Sequence, residues 1–182
     1  FEREMEAQKE RSRAGAKGGG ESGLTLRADE IARLRRMNVP PTDDSFKFPG
    51  RDVRGTVRAI WNGHNFDEHT GHTTRSIGIV IDRTSFYAEM GGQQADRGRL
   101  LVSRETRTSD TSHGGEFKVE DVQSFGGYVM HIGHVVRGEL RVGDSVTCHI
   151  ENQRRHAIAA NHTATHLVNL GLRHALGHGA DQ

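Results

Sequence analysis

The residues whose spacing most clearly allows chemistry are His162 and His166, four apart in the run His162-Thr163-Ala164-Thr165-His166. On a helix, positions i and i+4 share one face with Cβ atoms about 5–6 Å apart, so two imidazoles placed this way can chelate one ion. The metalloprotease version of this spacing carries a Glu after the first His as general base. Here that place is Thr163, which disfavours metal-assisted proteolysis. Zinc binds four ligands in a tetrahedron, and no third or fourth partner follows at an obvious spacing. The alternative is two unconnected polar residues on a helix, in a chain with 12 histidines. Cys148, the lone cysteine, is either a further ligand or a small buried filler of a barrel wall, the usual place of a free thiol.

A second feature is the run from Thr84 to Gly98, which contains Gly91-Gly92-Gln93 flanked by Glu89 and Asp96. Adjacent glycines leave backbone amides uncovered, so a ligand or another chain segment can approach them closely; the alternative is an ordinary turn. Two arginine clusters, Arg33/Arg35/Arg36 and Arg154/Arg155, are either phosphate contacts or solvated surface, and the surface reading is preferred. His64, His69 and His72 fall irregularly within a polar loop over 62–75.

The elements that must carry these residues follow from periodicity. Residues 1–14 have helix composition, and 14–23 form a Gly-rich linker. A helix is predicted from Arg27 to Met37, stopped by Pro40-Pro41. The pattern then becomes alternating: Val53, Gly55, Val57, Ala59 and Trp61 read as one face of a half-buried strand. Further strands are expected over 76–82, 99–104, 116–123, 128–136 and 145–150, separated by Gly- and Asn-containing turns. Short strands at this spacing predict a small antiparallel barrel. After Arg154-Arg155 the helical period returns through Ile158, His162, His166, Leu172 and Leu176. The predicted class is therefore α+β. Its organisation is a helical tail and linker (1–43), a β-barrel (44–152) and the first helix of a further α/β core (153–182).

Composition narrows the function classes. The 182 residues carry a net charge of +1, so any polyanion must be met by local patches rather than by a global field. Hydrophobic residues are 33 % and aromatics 5 %, with a mean hydropathy of −0.69. That is polar for a self-sufficient domain, and it suggests surfaces covered by other parts of a larger protein. One cysteine excludes an internal disulfide framework. No apolar run approaches a membrane span, and no membrane partner is expected. A first residue that is not Met makes an internal fragment the expected reading.

Taken together and in this order, Thr84-Ser-Phe-Tyr-Ala-Glu-Met-Gly-Gly-Gln-Gln-Ala-Asp-Arg-Gly98 and Asn161-His-Thr-Ala-Thr-His-Leu167 resemble the alanyl-tRNA synthetase family. Gly127-Tyr-Val-Met-His-Ile-Gly133 and Leu140-Arg-Val-Gly-Asp144 are similar to the family's barrel strands, and 1–14 with Asp43-Asp44-Ser45 to its linker region. The resemblance implies a barrel like domain two of translation elongation factors, followed by an editing core. It implies a parent enzyme that charges tRNA(Ala) with alanine using ATP and Mg2+ in a domain absent here, and that hydrolyses Ser or Gly wrongly attached to that tRNA. A pocket that holds Ala excludes neither of these well.

By the same resemblance, His162 and His166 are two of four Zn2+ ligands, the others lying beyond Gln182. Thr165 and Gln182 belong to the editing pocket, and Gly91, Gly92 and Gln93 handle the aminoacyl end. The implied partners are tRNA(Ala), the rest of the synthetase chain and an oligomer formed through an absent C-terminal region; the implied compartment is cytoplasmic, mitochondrial or both. The isolated fragment is expected to be inactive. The alternatives are a freestanding trans-editing deacylase and a non-catalytic tRNA-binding module.

Overall fold

The alternation from Val53 to Trp61 does form a strand, β1 (Val53–Trp61), yet it serves two cores rather than one. In a computed structural model describing residues 23–47, 52–71, 75–102 and 114–176, its register against β3 (Ile77–Ile81) shifts between Val57 and Ala59. An extra residue in one strand of a pair turns the following side chains to the opposite face. Val57 and Ile60 accordingly join the barrel interior, while Ala59 and Trp61 pack in a second cluster outside it. The expectation of a single buried face is corrected by this bulge.

β1 is also the strand that closes the barrel. Its first half pairs with β7 (Ser145–Ile150) and its second half with β3. The circuit runs β1, β3, β6 (Tyr128–Arg137), β5 (Glu116–Phe125), β4 (Gly98–Val102), β7 and back to β1, antiparallel throughout. Closure leaves these six strands without free edges. A two-residue strand, β2 (Phe66–Asp67), pairs with the end of β1 inside the stretch read as a polar loop. The predicted strands otherwise match within two residues at each end, and the part of 99–104 beyond Val102 lies outside the described residues.

The interior is filled by Ile79, Ile81, Phe86, Leu100, Phe117, Val122, Leu140 and Val146, all fully buried. The outer cluster is built by residues that precede the barrel. Helix α1 (Ala28–Arg36) brings Leu34 against Ala59, Trp61, Val80, Tyr128 and Met130, with Leu24, Leu26 and Val39 at its flanks. Glu30 reaches back to the amide of Arg27 at 2.7 Å and closes the first turn. The helix ends before the prolines. Asn38 takes a left-handed φ of 56°, Asn38 N–H bonds Arg35 O at 3.0 Å, and Val39 N–H bonds Leu34 O at 3.0 Å. This is a Schellman stop with its Leu34–Val39 apolar contact. The prolines therefore follow the stop rather than cause it.

The last element, α2 (Asn152–Leu176), starts earlier than predicted, so Arg154 and Arg155 sit in its first turn instead of ahead of it. Leu167, Val168, Leu170 and Leu172 along it are 48–63 % exposed. The predicted helix over 1–14, most of the linker, and Gln182 lie outside the described residues.

Candidate functional site

The run from Thr84 to Gly98 is a folded excursion between β3 and β4, and its named residues each meet a physical demand. Thr84 is fully buried beneath it. Its hydroxyl lies 2.8 Å from His131 Nε2, while His131 Nδ1 lies 3.1 Å from the carbonyl of Ile79. A carbonyl only accepts, so Nδ1 carries the proton and Nε2 accepts from Thr84. Complete burial holds the imidazole neutral, with its pKa lowered to about 4. At the far end of the run, a side chain at Gly98 would strike the carbonyl of His149 on β7, so only glycine fits where β4 and β7 cross.

Gly91 and Gly92 sit at the tip. Met90 and Gln93 exchange two backbone hydrogen bonds, N–H to O at 3.3 Å and 3.1 Å, and the glycines between them have φ of 61° and 80°. Positive φ at both central residues is a type I′ turn, which favours glycine strongly. Among the described residues, nothing beyond each glycine's own chain neighbours lies within 4 Å of where a Cβ would stand, so the turn faces open space there. Behind it, Glu89 N–H bonds Val122 O at 3.0 Å and Gln123 Nε2 donates to the Glu89 carboxylate at 2.7 Å, tying the hairpin to β5.

His162 and His166 lie on α2 as the spacing predicts. Their Nε2 atoms are 3.1 Å apart and the rings meet edge to face, with centroids at 4.6 Å. Both side chains are exposed. Two nitrogens bound to one zinc at about 2.0–2.1 Å in a tetrahedron stand roughly 3.3 Å apart, so the pair already has the span of two adjacent ligand positions. Among the described residues no third His, Cys, Asp or Glu joins them. Thr165 lies about 80° round the helix from the direction midway between the two imidazoles, and its hydroxyl donates to Asn161 O at 2.9 Å. With its proton engaged, Thr165 Oγ1 can only accept from a ligand.

Cys148 is fully buried in the barrel interior, and burial pushes its thiol up to about 11. A metal-binding cysteine needs the opposite shift, so the filler alternative describes this residue.

The connection between hairpin and helix was missed by sequence reasoning. Arg155 of α2 forks onto the Asp96 carboxylate, donating through Nε to Oδ1 at 3.1 Å and through Nη2 to Oδ2. Its other donors reach Lys47 O at 2.9 Å and Ser85 O at 2.6 Å. Asp96 also accepts the amide of Tyr87 at 2.6 Å. Arg154 donates to Gln94 Oε1 at 2.9 Å, and Glu151 N–H to Arg97 O at 2.9 Å. Arg155 is thus neither a phosphate contact nor solvated, which corrects the reading of that cluster; its sequence neighbourhood carries no sign of the partner 59 residues away. In the other cluster, Arg33 stacks over the Phe66 ring at 5.3 Å, while Arg35 and Arg36 are exposed. A cleft of about 740 Å³ opens beside the hairpin, lined among others by Glu89, Gln94, Arg97, Lys118, Asp121 and Arg154. Its lining on α2 ends at Arg154, short of His162.

The chain belongs to the class II (A) tRNA synthetases, whose family model matches residues 1–154. More particularly, its similar proteins are alanine–tRNA ligases. It is 41 % identical over 161 residues to the cytoplasmic alanine–tRNA ligase of Dictyostelium discoideum, covering 87 % of this chain and 16 % of that protein. It is 35 % identical over 182 residues to the mitochondrial alanine–tRNA ligase of Saccharomyces cerevisiae, covering 100 % of this chain and 18 % of that protein. Against the cytoplasmic alanine–tRNA ligase of Drosophila melanogaster it is 36 % identical over 171 residues, 87 % of this chain and 17 % of that protein. The chain therefore spans under a fifth of the length of these relatives.

Proposed function

We propose that this chain is the part of an alanine–tRNA ligase that leads into its hydrolytic editing site, where Ser or Gly wrongly esterified to tRNA(Ala) is removed. The observation that carries the reading is the His162–His166 pair, whose Nε2 atoms converge to 3.1 Å on an exposed helix face. In this reading the two imidazoles hold half of a Zn2+ site, and the other donors come from outside the described residues. Bound there, the ion would supply Lewis-acid polarisation and orientation of the scissile ester or of a water.

The chain's own residues have separate tasks. Thr165 Oγ1, its proton given to Asn161 O, accepts from the hydroxyl of a misplaced serine, which alanine lacks. A hydrogen bond available to only one of two substrates discriminates between them far better than a change of size. The open turn at Gly91, Gly92 and Gln93 offers uncovered backbone to the aminoacylated 3′ end; Gln182, outside the described residues, is assigned to the same pocket by the resemblance alone. Aminoacylation with ATP and Mg2+ is assigned to other parts of the ligase, and the compartment to cytosol, mitochondria or both.

The test is deacylation of Ser-tRNA(Ala) by the intact synthetase carrying His162→Ala. Loss of deacylation with aminoacylation retained is expected; unchanged deacylation overturns the reading. A second reading, a tRNA-contacting module with no hydrolytic activity of its own, is favoured for the isolated 182-residue piece, because only two metal donors converge among the described residues. Deacylation by that piece alone would exclude it.

A further inference from the structure

We infer that the Asp96–Arg155 pair is a rotational key for α2, fixing which way the His162–His166 face is turned relative to the Gly91-Gly92 hairpin. The inference deepens the editing reading and rests on it.

Three observations converge. First, the pair is built to constrain direction. The side chains of Arg155 and Asp96 are only 14 % and 4 % exposed. The guanidinium is held in a fork by the carboxylate and by two backbone carbonyls from different segments, Lys47 and Ser85. A planar fork fixes orientation as well as distance, which a point charge does not.

Second, Asp96 belongs to the hairpin segment itself. Its carboxylate accepts the Tyr87 amide at 2.6 Å and its own amide donates to Tyr87 O at 3.0 Å, across the base of the loop that ends in Gly91-Gly92. Arg155 therefore binds the frame of the hairpin directly, besides its bond to Lys47 O.

Third, the helical phase matches. At about 100° per residue, His162 and His166 lie within roughly 20° of Arg155 around the helix axis, about two and three turns further on. The side of α2 keyed into the hairpin frame is the side that carries the imidazoles. Beyond its first turn the helix is almost wholly exposed, and the Arg154–Gln94 and Glu151–Arg97 bonds belong to the same junction. Neither of those is a buried ion pair. Asp96 and Arg155 are positioning residues, which act on substrate only through the groups they orient.

Two measurements test this, with Asp96→Asn and the milder Arg155→Lys. In the 182-residue chain, nitroxide labels at Met90→Cys and Leu170→Cys, both exposed positions, report the distance from hairpin to helix; Cys148 is buried and resists labelling. A narrow distance distribution is expected with the pair intact, and a broadened or displaced one in both variants. An unchanged distribution in Asp96→Asn overturns the inference.

In the intact synthetase, kcat for deacylation of Ser-tRNA(Ala) should fall roughly 10- to 100-fold, less in Arg155→Lys than in Asp96→Asn. KM for the mischarged tRNA, zinc content and aminoacylation should stay unchanged. Deacylation at the wild-type rate, or a loss matched by equal losses of zinc and aminoacylation, overturns it. His162→Ala separates the two levels. If that variant loses deacylation while Asp96→Asn does not, the key is wrong and the editing site stands. If His162→Ala itself deacylates normally, the editing reading fails and the key has no site to position.

Discussion

His131 and the pair His162/His166 are the same residue type put to opposite uses. His131 is sealed in the barrel, with both ring nitrogens committed to protein partners. His162 and His166 stand in solvent on α2, and among the described residues their Nε2 atoms face each other at 3.1 Å. A buried imidazole with fixed proton and acceptor positions is a structural cross-link. An exposed pair with converging lone pairs can be taken over by an ion without breaking anything that holds the fold. The difference teaches that a histidine-rich sequence divides by environment, and that the pair left out of the core is the one free for the chemistry proposed above.

The largest test of this contrast is functional. His162→Ala in the intact enzyme should lower Ser-tRNA(Ala) deacylation by roughly a hundredfold or more, the scale expected when a metal site is weakened. Its thermal midpoint should stay at the wild-type value, and a matching fall in melting temperature would erase the distinction.

His131→Ala should do the reverse. Cavity formation plus the loss of partners for Thr84 and Ile79 O should cost about 3–4 kcal/mol in urea unfolding of the 182-residue chain. A cost below 1 kcal/mol would show that the cross-link is dispensable.

Acid titration sharpens the same point. The folded-state pKa of His131 is depressed to about 4 from 6.5, so below 6.5 the unfolded chain binds a proton that the folded chain refuses. Its contribution is fully present at neutral pH and declines as pH falls from 6.5 towards 4. At pH 4.5 the loss should be about 2–3 kcal/mol. His131→Gln should remove that part of the pH dependence, as measured by urea midpoints at pH 7 and 4.5.

The smallest effect is expected on the exposed helix. Leu170→Ser should change the stability of this chain by less than about 0.5 kcal/mol, because Leu170 is 55 % exposed. A comparable change at fully buried Leu100 should prevent folding.

Much of this was legible in the residues themselves. Strand and helix periods placed the barrel and α2, and the four-residue spacing of His162 and His166 placed their rings together, because these signals are local. What stayed hidden depends on partners far along the chain. Arg155 reads as one more surface arginine until Asp96 is brought beside it. Ala59 and Trp61 read as continuing the Val57 face until a bulge turns them outward. The stop of α1 was credited to Pro40-Pro41, the louder signal, although Asn38 carries it through a left-handed backbone that asparagine tolerates better than most residues. Thr84, Asp96 and Gly98 were visible as parts of a pattern, but their reasons lie in His131, Arg155 and the carbonyl of His149.

The bulge in β1 has a practical corollary. The chain contains a single tryptophan, and the slip after Val57 seats it under α1 rather than inside the barrel, where its indole is screened from solvent. Intrinsic fluorescence of this protein therefore watches the undocking of one small helix. A red shift that precedes the loss of β-sheet dichroism on heating would mark that helix as the first part to leave.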